Sequence, residues 1–320
     1  MRVAVTGATG AIGRSLLDHL AAASDWPLTG LTRSLPPCDL PCDPCGDRIR
    51  WIQGDLGSPS DCEALVREQD VIIHLAHTNV PLSSDRDMSS DTLLNLVPTL
   101  NLLKAVQAAG HRPHLVYASS GGAVYGRSAD RVAFTEDHPC LPVNSYGIQK
   151  LAAEHYIRLC AERGYLTATV LRISNAYGWL LSPARNQGFI GIALYQALKG
   201  RPVRILGDME NVRDYIHIED LCAAVRACLE PQRPYDLFNI GTGVGVSVKG
   251  VLDVIQGCLG RPLERVAEAH PAAAFLPDWC VLDVSKARRE LGWSPAIDLR
   301  EGVRKMLAAR STCGEPARMG

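Results

Sequence analysis

A chain of 320 residues with 47% hydrophobic and 21% charged residues has the composition of a folded globular protein, which excludes wholesale disorder. Its 33 basic and 34 acidic residues leave a formal net charge of −1, a balance that argues against a molecule built to coat nucleic acid or an anionic membrane. No stretch reaches the about 18 consecutive apolar residues of a membrane span. The opening Arg2-Val3-Ala4-Val5-Thr6 reads as a strand rather than a cleavable leader, so a cytoplasmic protein is expected.

In chain order, short apolar runs predict strands at 2–6, 28–32, 49–53, 71–75, 114–119 and 167–172. Helical stretches alternate with them near 11–23, 58–69, 91–109 and 145–163. In the third, Leu93, Leu94, Leu96, Val97, Leu100 and Leu103 carry the spacing of a helix face buried against a sheet. This alternation predicts an α/β fold: a Rossmann-like, doubly wound parallel sheet with helices on both faces. After Arg172 the strands shorten, Pro and Gly increase, and helices are expected near 188–199, 219–230, 247–259 and 299–310. The expected division is a dinucleotide-binding domain over 1–172 and a smaller α/β substrate lobe over 173–320, with segments near 213–240 returning to the first domain.

Thr6-Gly7-Ala8-Thr9-Gly10-Ala11-Ile12-Gly13 follows the first strand and opens the first helix. In this Gly-x-x-Gly-x-x-Gly loop, Gly7 permits a tight turn, Gly10 lets backbone approach a pyrophosphate, and Gly13 lets helix pack on strand. The helix N-terminus then offers unpaired N–H groups to phosphate. At the end of the second strand, where an acidic residue would take the ribose hydroxyls of NAD, the chain has Thr32-Arg33. Arg33 suits the 2′-phosphate of NADP, stacks on adenine with either cofactor, or is a solvated loop arginine. After the third strand, Asp55 in Gly54-Asp55-Leu56 offers a carboxylate for the adenine amino group.

Ser145-Tyr146-Gly147-Ile148-Gln149-Lys150 heads a helix, and its Tyr-x-x-x-Lys spacing puts both side chains on one face. A free phenol with a pKa of about 10 is a poor base at neutral pH. An ammonium one turn away and a bound nicotinium both favour the phenolate. Such a tyrosine can take and return a carbinol proton while hydride moves to the cofactor.

These segments together resemble the extended short-chain dehydrogenase/reductase family, in its nucleotide-sugar epimerase/dehydratase branch. The resemblance rests on TGATGAIG, SSGGAVYG (119–126), TEDHP (135–139), SYGIQK (145–150), LRISNAYG (171–178), RDYIHIEDL (213–221), FNIGTG (238–243) and DVSKARRELGW (283–293). It implies NAD, or NADP through Arg33, held by Gly7, Thr9, Gly10, Ala11, Ile12, Gly13, Thr32, Arg33, Asp55, Leu56, Leu75, Ala76, His77, Asn95, Tyr146 and Lys150. It implies a nucleotide-diphospho-sugar held by Thr78, Ser120, Gly121, Gly122, Tyr146, Asn175, Gln187, Arg213 and His270. Tyr146 and Lys150 match the family's catalytic pair, and Asn95 an active-site-helix asparagine. Asn175 and Arg213 match diphosphate contacts; the bland alternatives are a loop-ordering amide and an ion pair with Asp214 or Asp220. A homodimer through the helices at 91–109 and 145–163 is likewise implied.

Departures from the family pattern narrow the reaction. Where sugar 4,6-dehydratases carry Thr-Asp-Glu, this chain has Gly121-Gly122-Ala123, so no acid or base is present to remove water. Where 4-epimerases carry a hydroxyl, Gly121 has none, and Ser119, Ser120 or a water must supply it. Around His270 no arginine stands for the diphosphate, and Trp179 replaces the usual proline, either reshaping the sugar pocket or filling core. The expected activity is a nucleotide-sugar 4-epimerase; the alternatives are an NADPH-dependent sugar ketoreductase and a non-catalytic dinucleotide-binding module. Eleven cysteines are mostly single among apolar residues. Cys38, Cys42 and Cys45 have the spacing of a cluster or zinc site, but in a Pro-rich connection they read as incidental thiols, with no metal expected.

Overall fold

A computed structural model of the chain describes residues 1–34, 48–182, 188–268 and 277–312. In chain order the elements are β1 (Val3–Thr6), α1 (Ala11–Ala23), β2 (Leu28–Thr32), β3 (Ile49–Gln53), α2 (Pro59–Val66), β4 (Val71–His74), α3 (Met88–Ala108), β5 (His114–Ser120), α4 (Gly121–Val124), α5 (Ser145–Glu162) and β6 (Thr167–Ile173). There follow β7 (Asn175–Tyr177), α6 (Phe189–Leu198), β8 (Val203–Leu206), β9 (Val212–His217), α7 (Ile218–Ala227), β10 (Tyr235–Ile240), β11 (Gly245–Ser247), α8 (Val248–Leu259), β12 (Arg265–Glu268), β13 (Trp279–Cys280), α9 (Ser285–Leu291) and α10 (Leu299–Thr312).

Among the described residues the main sheet has seven parallel strands in the order β10-β6-β5-β4-β1-β2-β3. Both of its faces are covered, so the central strands read as unbroken apolar runs. Their side chains still alternate: Val3 and Val5 pack with Leu16, Leu17 and Leu20 of α1 and Leu221 and Val225 of α7 on one face. Ala4 and Ile72 pack on the other with Leu65 of α2, Leu102 and Val106 of α3, and Ile157 of α5. The strand order reverses between β1 and β4, which opens a crevice at their C-terminal ends, where open α/β sheets bind ligands.

The chain leaves this sheet after β6 and returns as β10, which pairs with β6 from Tyr235↔Ala168 to Ile240↔Ile173. The intervening and later residues build small sheets, β11-β9-β13 with β7 on β9 and β12-β8, around a core that includes Ile190, Leu194, Leu252, Ile255 and Val303. Among the described residues no helix is long and apolar enough to cross a membrane.

One helix face differs from expectation. On α3, Leu93 and Leu94 are 63% and 50% exposed, and the buried stripe begins with Asp91, Asn95 and Thr99. Polar residues turn inward there because the elements they meet, the loop after β4 and the start of α5, present donors rather than apolar surface. Of the expected apolar face, Leu93 and Leu94 turn outward, while Leu96 and Leu100 pack against the core and Leu103 is buried in it.

Candidate active site

Gly7 ends β1 with φ +68, and a Cβ there would come within 2.8 Å of Ala76 N, so the glycine loop closes directly onto the chain leaving β4. A Cβ on Gly13 would meet Gly7 O at 2.2 Å, so only glycine lets α1 pack this close. Gly10 caps α1 without a side-chain hydrogen bond, and the first turn carries no acidic residue. The leading N–H groups of α1, at Ala11, Ile12 and Gly13, therefore lack intrahelical acceptors and side-chain caps. A Cβ on Gly10 would meet only Gly7 O, at 3.2 Å, so the crevice side is open. Bare helix N–H groups beside an open crevice at the strand switch fit the pyrophosphate of a dinucleotide. Thr9 is exposed beside them.

Around the adenosine end of such a ligand, Thr32 donates to Ser34 O at 2.7 Å and Arg33 is exposed. The exposed Asp55 accepts from Gly57 N at 2.7 Å. The Leu56 side chain is buried in the core, which leaves only its backbone to face the crevice. Leu75, Ala76 and His77 line the other side as the chain leaves β4, and Thr78 is exposed beyond them.

The start of α5 is pinned from several sides. Asn144 caps Gly147 N at 2.8 Å, Asp85 accepts from Ser145 N at 2.7 Å, and Ser84 accepts from Tyr146 N at 3.2 Å. Tyr146 stands at this end with the His77 ring edge-on at 4.7 Å between centroids. Burial pushes its phenol up to about 12, against a lowering hydrogen bond with the Ser120 side chain. Lys150 lies one turn on, its Nζ donating to Ala118 O at 2.8 Å and standing 5.7 Å from the Tyr146 ring centroid. Burial pulls its amine down to about 7, although Glu154 opposes the shift. Tyr146 is thus protonated in this arrangement, and its base form requires a further positive charge beside it, such as a bound nicotinium.

Of the two candidate serines, the Ser120 side chain stands beside the Tyr146 phenol and favours its ionised form, whereas Ser119 is turned away. The Ser119 hydroxyl donates to Glu154, inside a buried ion pair in which Arg172 Nη2 lies 2.7 Å from Glu154 Oε2. The Ser119 hydroxyl is thus engaged by this ion pair. A hydroxyl-bearing side chain at Gly121 would have to displace the buried Leu282 side chain, because its Cβ would meet Leu282 Cδ1 at 2.6 Å. Gly122 sits near both Ser120 Oγ and Asn175 Nδ2, at 3.9 and 4.0 Å from its would-be Cβ.

Other expected residues are placed differently. The Asn95 side chain accepts from Thr78 N at 2.6 Å and donates to Asp91, so it braces the crevice wall rather than facing a ligand. Arg213 donates to Val212 O and Pro277 O, and Asn175 donates to Asp214 O at 3.0 Å. Asp214 and Asp220 instead accept from backbone N–H groups, at Thr242 and Gly243 and at Ala296 and Ile297. Trp179 packs against the core and donates to Ser15 Oγ of α1 at 2.9 Å, so it ties the chain after β7 to the dinucleotide helix. Gln187, His270, Cys38, Cys42 and Cys45 lie outside the described residues. Among the described residues no cluster of three His, Cys, Asp or Glu suits a metal ion.

Sequence reasoning missed Asp91, Asp85 and Ser84. Residues 84 to 91 carry no motif, and only the packing of α3 and the turn before it against the start of α5 reveals their partners. The signal available was an acidic residue four positions before Asn95 on one helix face.

Residues 3–241 match the family described as NAD dependent epimerase/dehydratase. The chain is 31% identical over 311 residues to a dTDP-4-dehydro-6-deoxyglucose reductase of Escherichia coli, covering 95% of this chain and 96% of that one. It is 32% identical over 313 residues to a UDP-glucose 4-epimerase of Mycolicibacterium smegmatis, covering 95% and 97%. Among solved structures, the Thermus thermophilus UDP-glucose 4-epimerase in complex with NAD superposes with a TM-score of 0.87 at 28% identity, covering 98% of this chain and 99% of that one.

Proposed function

The chain belongs to the NAD-dependent epimerase/dehydratase family, and from that premise we propose that it is a nucleotide-sugar 4-epimerase working through a 4-keto sugar. The observation that carries this reading is the convergence of Ser120 and Lys150 on the Tyr146 phenol, with Gly121-Gly122-Ala123 beside it. Those groups can move a proton at a sugar hydroxyl, and nothing at 121–123 can expel water from the ring.

The glycine loop and the bare start of α1 would hold NAD. Bound there, NAD supplies the oxidising and reducing power at the sugar carbon. Tyr146 takes the proton of the C4 hydroxyl, and Ser120 hydrogen-bonds the same oxygen so that it stays in line with the phenol. The keto sugar, planar at C4, turns over in the site so that the opposite face of C4 meets the cofactor, and Tyr146 returns the proton to the C4 oxygen to give the inverted alcohol. Asn175 and the free part of the Arg213 fork suit the substrate diphosphate.

A second reading, an NADPH-dependent ketoreductase using Tyr146 and Lys150 once per turnover, is favoured by one observation. Arg33 is exposed at the end of β2, where a 2′-phosphate would lie. The similar Escherichia coli reductase supports the same reading.

We also read the molecule as a cytoplasmic homodimer. Leu93 and Leu94 of α3 and Ile148, Tyr156 and Leu159 of α5 form an exposed apolar surface on two adjoining helices, which suits a second copy.

The cofactor content of freshly purified protein is the test. The epimerase reading expects co-purifying NAD and interconversion of UDP-glucose with UDP-galactose or a related pair. An empty protein that oxidises NADPH only with a keto sugar would replace it with the reductase. Tyr146→Phe abolishes either activity with cofactor still bound, and full activity in that variant would exclude both.

A further inference from the structure

A continuous buried hydrogen-bond chain runs from the end of β1 to the helix that carries Tyr146. Thr6, which precedes Gly7, bonds His74 Nδ1 at 2.7 Å, and His74 Nε2 bonds Thr99 Oγ1 at 3.0 Å. Thr99 donates to Asn95 O, also at 3.0 Å. Asn95 Nδ2 then donates to Asp91 Oδ1 at 2.8 Å.

Asp91 is fully buried, and its two oxygens are divided between two parts of the site. Oδ1 accepts from Asn79, on the chain leaving β4, at 2.7 Å, and from Asn95. Oδ2 accepts from Ser145 Oγ at 2.9 Å and from Gln149 Nε2, the residues that bracket Tyr146 on α5. Four donors fill the about four lone-pair positions of a carboxylate. One oxygen therefore fixes the crevice wall and the other fixes the catalytic helix, with no flexible cation between them.

We infer that Asp91 is the positioning residue that sets Tyr146 against the cofactor crevice; this rests on the catalytic role proposed above for Tyr146. An amide in its place offers one accepting oxygen instead of two, so it keeps the present bonds on only one side. Its NH2 would face either Asn79 and Asn95 or Ser145 and Gln149, and those groups would have to turn over to accept from it, which loosens that side.

The test is Asp91→Asn in the full chain, with UDP-glucose and UDP-galactose as substrates. The inference expects kcat to fall about ten-fold or more with KM changed less than about three-fold, because misplacement of the phenol costs turnover rather than binding. Retained NAD is expected. So is faster amide hydrogen exchange in a peptide spanning 143–151, with the other strands and helices of the main sheet protected as in the wild type. Unchanged kcat with unchanged exchange at 143–151 overturns it. So does a loss of protection throughout the main sheet, which would mark a general structural role. Should that variant not fold, Ser145→Ala removes one Oδ2 donor and is expected to give the same pattern at smaller amplitude; equal losses in kcat and in NAD retention would overturn the inference. If the wild type turns over no nucleotide sugar, the proposed activity fails, and the exchange data still judge Asp91.

Discussion

Ser119 and Ser120 are consecutive in β5, yet their hydroxyls reach α5 two turns apart, Ser119 at Glu154 and Ser120 at Tyr146. Eight residues of helix separate those partners by about 12 Å. Ser120→Ala is expected to lower kcat about ten- to a hundred-fold with the fold intact, from the loss of one hydrogen bond at the reacting oxygen. Ser119→Ala is expected to keep kcat and to lose about 1 kcal/mol of stability. Paired urea titrations and steady-state kinetics check both; the reverse assignment of effects would refute this division of roles.

Gly121 invites an obvious engineering step, restoring a hydroxyl where 4-epimerases of the family carry one. Its Cβ would lie 2.6 Å from Leu282 Cδ1 and 3.1 Å from Arg172 O. Gly121→Ser is therefore expected to cost about 1–3 kcal/mol by overpacking. No gain in kcat is expected. Thermal unfolding of the variant measures the first expectation, and a more active enzyme of wild-type stability would contradict both.

His74 makes the molecule acid-sensitive. Thr99 donates onward to Asn95 O, so it accepts from His74 Nε2–H, and His74 Nδ1 accepts from the Thr6 hydroxyl. Burial, then the charge of Lys150, pulls the imidazole down to about 3 from its ordinary 6.5. The unfolded chain thus binds a proton that the folded one refuses between those values, so this contribution to stability is full above about 6.5 and declines as pH falls toward 3. His77 adds the same slope, with its ring held at about 2 by burial. The midpoint of urea unfolding should fall steadily from pH 7 to pH 4. In His74→Gln, which cannot ionise, the fall should be shallower; an identical slope would remove His74 as a cause.

Glu154 and Arg172 are 3% and 6% exposed and lie 2.7 Å apart. Arg172 also donates to the Tyr125 hydroxyl at 3.0 Å and to Glu136 O at 3.2 Å. Removing one partner leaves an uncompensated charge, so Glu154→Ala is expected to cost about 3–5 kcal/mol. The double variant Glu154→Ala/Arg172→Met should recover part of that loss. A cycle of unfolding free energies showing no coupling would mean the pair is held apart by solvent.

Arg33 separates the two cofactors. Arg33→Ala is expected to weaken NADP binding about ten-fold or more through loss of a charge-assisted contact, with NAD affinity little changed. Isothermal titration with each cofactor reads this directly. Equal weakening of both would assign Arg33 to the adenine instead.

The alternating half of the fold was legible because buried parallel strands are short apolar runs and the helices between them have clear starts. The β1 strand, the glycine loop and the Tyr146–Lys150 spacing are local signals, and each stands where its pattern put it. What pattern alone could not supply were pairings between distant elements. Asp91 reads as a surface carboxylate until α5 brings Ser145 and Gln149 to it, and Leu93 and Leu94 read as core until the helix is seen to turn its polar stripe inward. Ser119 and Ser120 are indistinguishable by residue type, because the alternation of successive side chains along the strand decides which partner each meets. Arg213 has the right chemistry for phosphate, yet its guanidinium is engaged by two carbonyls that only the tertiary fold brings near.

The return of the chain as β10 has a consequence for any attempt to isolate the cofactor-binding part. Stopping translation after residue 173 would remove the strand that pairs with β6 along six residue pairs. That would leave β6 with a bare row of amides and carbonyls, flanked by Val170 and Leu171, which the intact molecule keeps buried. A strand edge of that kind templates association with other chains. The last strand of the sheet thus acts as a stopper against self-assembly, contributed by sequence that lies beyond the whole of α6, β8, β9 and α7.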